Sequence, residues 1–144
     1  MLKLISKFAL LILIIAILYL LISGNLFSRS PFIIAGQLLA IGLGIWARQS
    51  FQGEQFSIHA EPVAGSLLLI GPYRFIRHPM YAFALLFVWI SILGHLSLVT
   101  VVIGLIVTGV IAIRIVTEEQ FLRAHYPDYA EYSRQTRRVI PFII

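Results

Sequence analysis

The chain contains no cysteine, which excludes disulfide stapling, thiol nucleophiles and cysteine-ligated metal. Charge is scarce too. Asp, Glu, Lys and Arg make up 12% of the residues, against roughly 25% in an ordinary globular protein. Only six residues are acidic. No phosphate loop, GxGxxG fingerprint, nucleophile elbow or metal-ligand spacing occurs in the sequence.

Apolar side chains, by contrast, make up 60% of the 144 residues. A soluble domain of that length cannot hide so much apolar surface, so the bilayer is expected to be part of the solvent. This excludes a soluble enzyme and a disordered chain. The net charge is +5, from 11 basic against 6 acidic residues. The basic residues lie between apolar runs, so the expected partner is a membrane surface and not nucleic acid.

The apolar runs predict an all-α integral membrane bundle of about four transmembrane helices in a single domain, with spans near residues 4–22, 32–47, 80–93 and 96–117. Lys3 and Lys7 resemble the basic start of a signal peptide, but no small-x-small cleavage site follows, so the first helix is read as uncleaved. Pro31 suits the start of the second helix. Gly94-His95 breaks the third run from the fourth, as in a tight hairpin. Residues 48–79 form a connection, and residues 118–144 an interfacial C-terminal segment.

With both termini cytoplasmic, the inner segments hold Lys3, Lys7, Arg48, Arg74, Arg77, Arg123, Arg134, Arg137 and Arg138, and the outer loops only Arg29. That asymmetry predicts a multi-pass orientation whose polar segments face the cytoplasm. Gly36, Ala40 and Gly44, and likewise Gly104, Thr108 and Ala112, recur every four residues and suit close helix contact.

Nearly all chemically capable residues fall in the two inner segments. Gly71-Pro72 marks a turn, His78 precedes a proline, and Pro79 should open the third helix. Arg77 and His78 then flank free backbone N–H groups, which suits an anion site; alternatively the arginines only snorkel to lipid phosphates. Arg114 and Glu118, and Glu119 and Arg123, are each four apart and can pair along a helix. Adjacent glutamates at a membrane boundary are costly, so they are functional candidates; the plainer reading is a solvated helix end. Asp128 is placed to cap a short interfacial helix running toward Arg138. His59 and His95 read as surface or cap residues.

Gly71-Pro72-Tyr73-Arg74, Arg77-His78-Pro79-Met80-Tyr81, Glu118-Glu119-Gln120-Phe121-Leu122, Tyr129-Ala130-Glu131-Tyr132 and a closing Arg138-Val139-Ile140-Pro141 resemble, in order and spacing, the isoprenylcysteine carboxyl methyltransferase family. The resemblance runs from Gly71 to Pro141. It implies an integral membrane methyltransferase that uses S-adenosylmethionine, enclosed by the last two helices and the C-terminal segment. The implied acceptor is a lipophilic or prenylated molecule, such as a prenylcysteine carboxylate. The chain departs from the family at Phe83, where glycine is frequent, and in lacking the extra helices of the longer eukaryotic members.

These residues suit that chemistry. Arg77, His78 and Pro79 at the helix start can take the donor's carboxylate, and Glu118 and Glu119 its amine and ribose hydroxyls. Tyr81 and Tyr129 can line the adenine or sulfonium. Arg114 or Arg134 can hold an acceptor carboxylate. Two alternatives stand beside this reading: a reductase on the same architecture, and a non-enzymatic lipid-binding scaffold.

Overall fold

The computed structural model of the protein describes residues 2–50 and 69–140, with side chains from residue 8 onward. His59, Pro141 and most of the 48–79 connection lie outside the described residues. Among those described, the architecture is all-helical: α1 (Leu2–Ile22), α2 (Pro31–Gln49), α3 (Pro79–Gly94), α4 (Leu98–His125) and the short α5 (Tyr129–Gln135). A 3-10 turn covers Gly71–Arg74.

Pro31 and Pro79 occupy first helical positions, where a fixed φ helps and the missing N–H is not needed. Ser97 and Thr100 form a reciprocal capping box that starts α4.

The C-terminal part departs from expectation in two places. First, α4 continues past the expected membrane span, which stops near residue 117, and runs 28 residues to His125, about 42 Å at 1.5 Å per residue. Nothing between Thr117 and His125 breaks a helix, and termination waits for Tyr126, which precedes Pro127. Glu118 and Glu119 therefore stand on helix, beyond the apolar run. Second, Asp128 makes no side-chain cap bond, and α5 stops at Gln135. The chain then turns extended, because its backbone finds partners elsewhere: Ile76 and Arg137 form an isolated parallel bridge.

By length and composition, α2 and α4 can each cross a membrane, while Phe8–Ile22 and α3 are shorter apolar helices. α2 packs along α3 and α1 along α4, with α3 and α4 joining the two pairs. Val88, Ile92, Val107, Ile111 and Leu20 form the buried core between them. The small-residue stripes explain the close approach. A Cβ on Gly44 would sit 2.8 Å from the Phe83 ring, and one on Gly104 would sit 2.7 Å from Ile92. Gly36 likewise faces Ile90. Ala112 is the exception in its stripe, because it is exposed. Many outward side chains, such as Phe32, Leu39 and Leu105, are bare apolar surface, the composition expected where lipid is the solvent.

The tight turns after α1 and α3 meet at one end, where the His95 ring lies 3.0 Å from the Phe27 carbonyl. The opposite end gathers the last turn of α2, the 3-10 turn, the start of α3, the end of α4 and α5. Gly71 is required there. Its φ is +58°, and any Cβ would collide with the Ser50 hydroxyl of the α2 C-cap.

Candidate active site

The polar cluster is built on Pro79. Because that residue starts α3, His78 is held just outside the helix as its N-cap residue, and Tyr81 lies on the first turn. Their rings stack with centroids 5.5 Å apart. α4 supplies Arg114, Glu118 and Glu119 from successive turns on the facing side. The tail from α5 onward closes the third side.

The two glutamates have different surroundings. Glu119 is buried, with 5% of its side chain exposed. Its Oε1 accepts from Arg77 Nε at 2.9 Å and lies 3.5 Å from His78 Nε2. Its Oε2 accepts from Arg138 at 3.1 and 3.2 Å. Glu118 is more open, with 27% of its side chain exposed. The Tyr81 hydroxyl donates to its Oε2 at 2.6 Å and accepts from Arg114 Nε, also at 2.6 Å. This makes a chain from guanidinium through phenol to carboxylate.

Arg77 is clamped further. Its Nη1 donates to the carbonyls of Ser133 at 2.8 Å and Thr136 at 2.6 Å, the free acceptors at the C-terminal end of α5. The backbone beside it pairs with the tail: Arg77 N–H to Arg137 O at 2.6 Å, His78 N–H to Arg138 O at 2.9 Å, and Arg137 N–H to Phe75 O at 3.1 Å. The Tyr132 hydroxyl donates to the Tyr73 carbonyl at 2.8 Å, tying α5 to the 3-10 turn. The tail is thus a strap, fastened by charge at Glu119 and by backbone along residues 75–78.

Two buried polar atoms have no hydrogen-bond partner among the described residues: His78 Nε2 and the Tyr129 hydroxyl. The imidazole nitrogen approaches Glu119 without completing a bond. Tyr129 is fully buried, its ring edge-on to Tyr132 at 5.8 Å. Burial raises the Tyr129 pKa, and the nearby Glu119 carboxylate raises it further, so the hydroxyl keeps its proton. Buried polar atoms are rarely left without partners.

Of the residues singled out from sequence, Arg77, His78, Pro79, Tyr81, Arg114, Glu118 and Glu119 form one connected network, with Tyr129 buried beneath it. Arg134 is not brought in: its side chain is 79% exposed and lies 3.6 Å from Glu131. The expected pairing of Glu119 with Arg123 is replaced by Arg77 and Arg138, because the returning tail and the turn before α3 deliver cations from outside the helix. Sequence reasoning passed over Arg138, Thr136 and Tyr132 as site residues. The only signal for Arg138 was its place in the closing Arg-Val-Ile-Pro. Among the described residues no group of three His, Asp or Glu side chains is placed to hold a metal ion.

A family model described as phospholipid methyltransferase matches residues 31–129. The cobalt-zinc-cadmium resistance protein CzcN of Cupriavidus metallidurans is 34% identical over 84 residues, which cover 53% of this chain and 36% of that protein. The chain thus spans about a third of the length of the curated relative it matches. No solved structure matches it. The family match begins at the first residue of α2, runs through the start of α3 and both glutamates, and ends at Tyr129. The polar network therefore lies on the matched segment, apart from the strap, and this chain belongs to the phospholipid methyltransferase family, within the wider group of integral membrane methyltransferases that includes the isoprenylcysteine carboxyl methyltransferases.

Proposed function

We propose that the protein moves a methyl group from S-adenosylmethionine to a lipophilic acceptor drawn from the membrane, with a prenylcysteine-like carboxylate as the acceptor class. Family membership supports the reaction type. The observation that carries the donor site is the Arg114–Tyr81–Glu118 chain beside two buried polar atoms, His78 Nε2 and the Tyr129 hydroxyl, that complete no hydrogen bond among the described residues. Such a constellation fits a ligand with a positive charge, hydroxyls and a planar ring.

On this reading His78, Tyr81, Glu118 and Tyr129 line the donor, with Arg77, Pro79 and Glu119 shaping the same wall. Bound S-adenosylmethionine supplies a methyl on a cationic sulfur; as the acceptor oxygen bonds to that carbon, the carbon–sulfur bond breaks and its electron pair returns to sulfur. A carboxylate acceptor has no proton to lose, so the protein needs no general base. Its residues orient the two partners and exclude water. Arg114 is the cation for the acceptor carboxylate, buried on α4 and already beside Tyr81. Arg134, exposed on α5, is left out of that role.

We place the site on the cytoplasmic side of four crossing helices, supported by the nine-to-one distribution of basic residues. Single substitutions Ser28→Cys and Ser133→Cys in this cysteine-free chain should label from opposite sides of the membrane; labelling from one side would remove the topology.

Calorimetry of the purified protein in detergent tests the function. S-adenosylmethionine and its demethylated product should bind, and NADPH should not. Binding of NADPH alone would move the reading to a reductase, and binding of neither to a lipid scaffold.

A further inference from the structure

We propose that the adjacent glutamates do different work: Glu118 contacts the methyl donor, whereas Glu119 is a positioning residue that fastens the C-terminal strap against the start of α3. The proposal rests on the donor-binding reading above and deepens it.

Charge and access separate the pair. A carboxylate offers two oxygens with about four acceptor positions. On Glu119 both oxygens are engaged by this chain's own cations, Arg77 and Arg138, with His78 closing on Oε1. A donor's ammonium or ribose arriving there would have to displace arginine from a buried carboxylate. Removing one partner of a buried ion pair is strongly unfavourable, so Glu119 is a poor ligand.

The partners of Glu119 also belong to the strap. Arg138 lies in the tail itself. Arg77 holds the carbonyls of Ser133 and Thr136 while its own backbone pairs with Arg137. Glu119 is therefore the point where the tail, the turn before α3 and the end of α4 are joined. Losing it would release Arg138 and remove the carboxylate that anchors Arg77, loosening residues 129–138 although the backbone bonds of the tail remain.

Glu118 has the opposite character. Its carboxylate is the more exposed of the two, at 27% against 5%, and accepts a hydrogen bond from the neutral Tyr81 phenol. Arg114, beyond the phenol, holds Tyr81 in place. A cationic ligand can meet Glu118, whose Oε2 lies 4.0 Å from the His78 imidazole, without displacing Arg77 or Arg138, as it would have to at Glu119. The pair is adjacent on α4, so about 100° of rotation separates the two side chains, one toward the strap and one toward Tyr81.

The test uses the full chain in detergent with two readouts: amide hydrogen exchange over residues 129–138 without donor, and S-adenosylmethionine affinity by calorimetry. Glu119→Gln should speed exchange in that segment and weaken donor binding. Glu118→Gln should leave exchange unchanged and weaken binding about tenfold, the loss of one charged hydrogen bond. An oxidised Ile76→Cys/Arg137→Cys crosslink, at the bridged pair, should restore donor affinity to Glu119→Gln but not to Glu118→Gln. Adding a thiol reductant should remove the rescue.

Glu119→Gln leaves Arg77 buried without its carboxylate and is the variant most at risk of not folding. Arg138→Ala, at a half-exposed position, loosens the same strap with a smaller gain in exchange and keeps the question answerable. Unchanged exchange in both strap variants, failure of the crosslink to rescue, or normal donor affinity in Glu118→Gln would each overturn the division. If the unsubstituted protein binds no S-adenosylmethionine, the donor reading and the role of Glu118 fall together. The strap role of Glu119 is then decided by exchange alone.

Discussion

α3 meets its neighbours in two ways along its length. Through its middle, Val88 and Ile92 pack on α4 and α1, and Phe83 and Ile90 press against glycines of α2. Few hydrogen bonds cross there, and those that do are neutral: Gln37 to Ser91, and the Trp89 indole to Thr108. At its first turn, contact is made by ions, with Arg77, His78 and Tyr81 facing two glutamates and two further arginines. Lipid is as apolar as leucine, so hydrophobicity alone does not drive helices together in a membrane. The body is held by shape and the polar end by charge. Shape tolerates exchange among apolar residues of similar size, whereas a buried charge tolerates almost no change in its partners.

That contrast predicts its largest effect at Arg77. Arg77→Met would leave Glu119 with reduced compensation and two α5 carbonyls unbonded. A loss of about 3–5 kcal/mol is expected, the range for breaking one side of a buried pair, measured as thermal unfolding in detergent. A variant as stable as the parent would mean the polar end is solvated and the comparison false.

Base should separate the two regions next. Burial raises the pKa of Tyr73, Tyr129 and Tyr132, the last to about 12 from 10.0. All three lie at the polar end. A phenol whose folded pKa is raised contributes stability that is complete below the unfolded value, near pH 10, and is lost as pH rises toward the folded value. Exchange over residues 129–138 should therefore accelerate between about pH 10 and 12, while α2 and α3 stay protected. Uniform loosening would show the strap is not a separate unit.

In the body, Gly44→Ala should cost about 1–3 kcal/mol, the usual price of overpacking, because the new methyl meets the Phe83 ring. Phe83→Ala in the same chain should recover part of that loss. An absence of coupling in the double-mutant cycle would mean α2 and α3 sit further apart than described.

The helices were legible because long apolar runs, bounded by prolines and Gly94-His95, leave little choice of element, although among the described residues only α2 and α4 are long and apolar enough to count as spans. Most of the polar network was legible too, since Arg77, His78, Tyr81, Glu118 and Glu119 fall in short motifs. The choice of partners was not. Spacing of four suggested Arg123 for Glu119, but spacing reports only neighbours on one helix. The cations that engage Glu119 come from a turn 42 residues before it and a tail 19 residues after it. The end of α4 at His125 was not legible for a related reason. Hydropathy locates the edge of the bilayer, and a helix with good formers beyond that edge simply continues. Arg134 carried a suitable charge, but α5 turns it outward.

The smallest effect is expected at Gln37, and it bears most directly on how the body is held. Gln37 is buried in α2, donating to the Leu26 carbonyl at 2.7 Å and to the Ser91 hydroxyl at 2.9 Å. The Ser91 hydroxyl in turn donates to the Phe87 carbonyl at 2.8 Å. The side chain thus links the α1–α2 turn to α3 through neutral groups alone. Hydrogen bonds between membrane helices average about 0.6 kcal/mol and reach about 1.7. Gln37→Leu keeps the volume roughly constant and should cost no more than that range, because the Ser91 hydroxyl, though it loses a donor, retains its own bond within α3, and of the two acceptors only the Leu26 carbonyl loses its side-chain partner altogether. Gln37→Ala adds a cavity on top of the lost bonds and should be the worse of the two. The order of these variants in thermal unfolding is the informative result. If Gln37→Leu proved as damaging as Arg77→Met, the body would depend on polar bonds as the opposite end does, and packing would not be what holds α2 to α3.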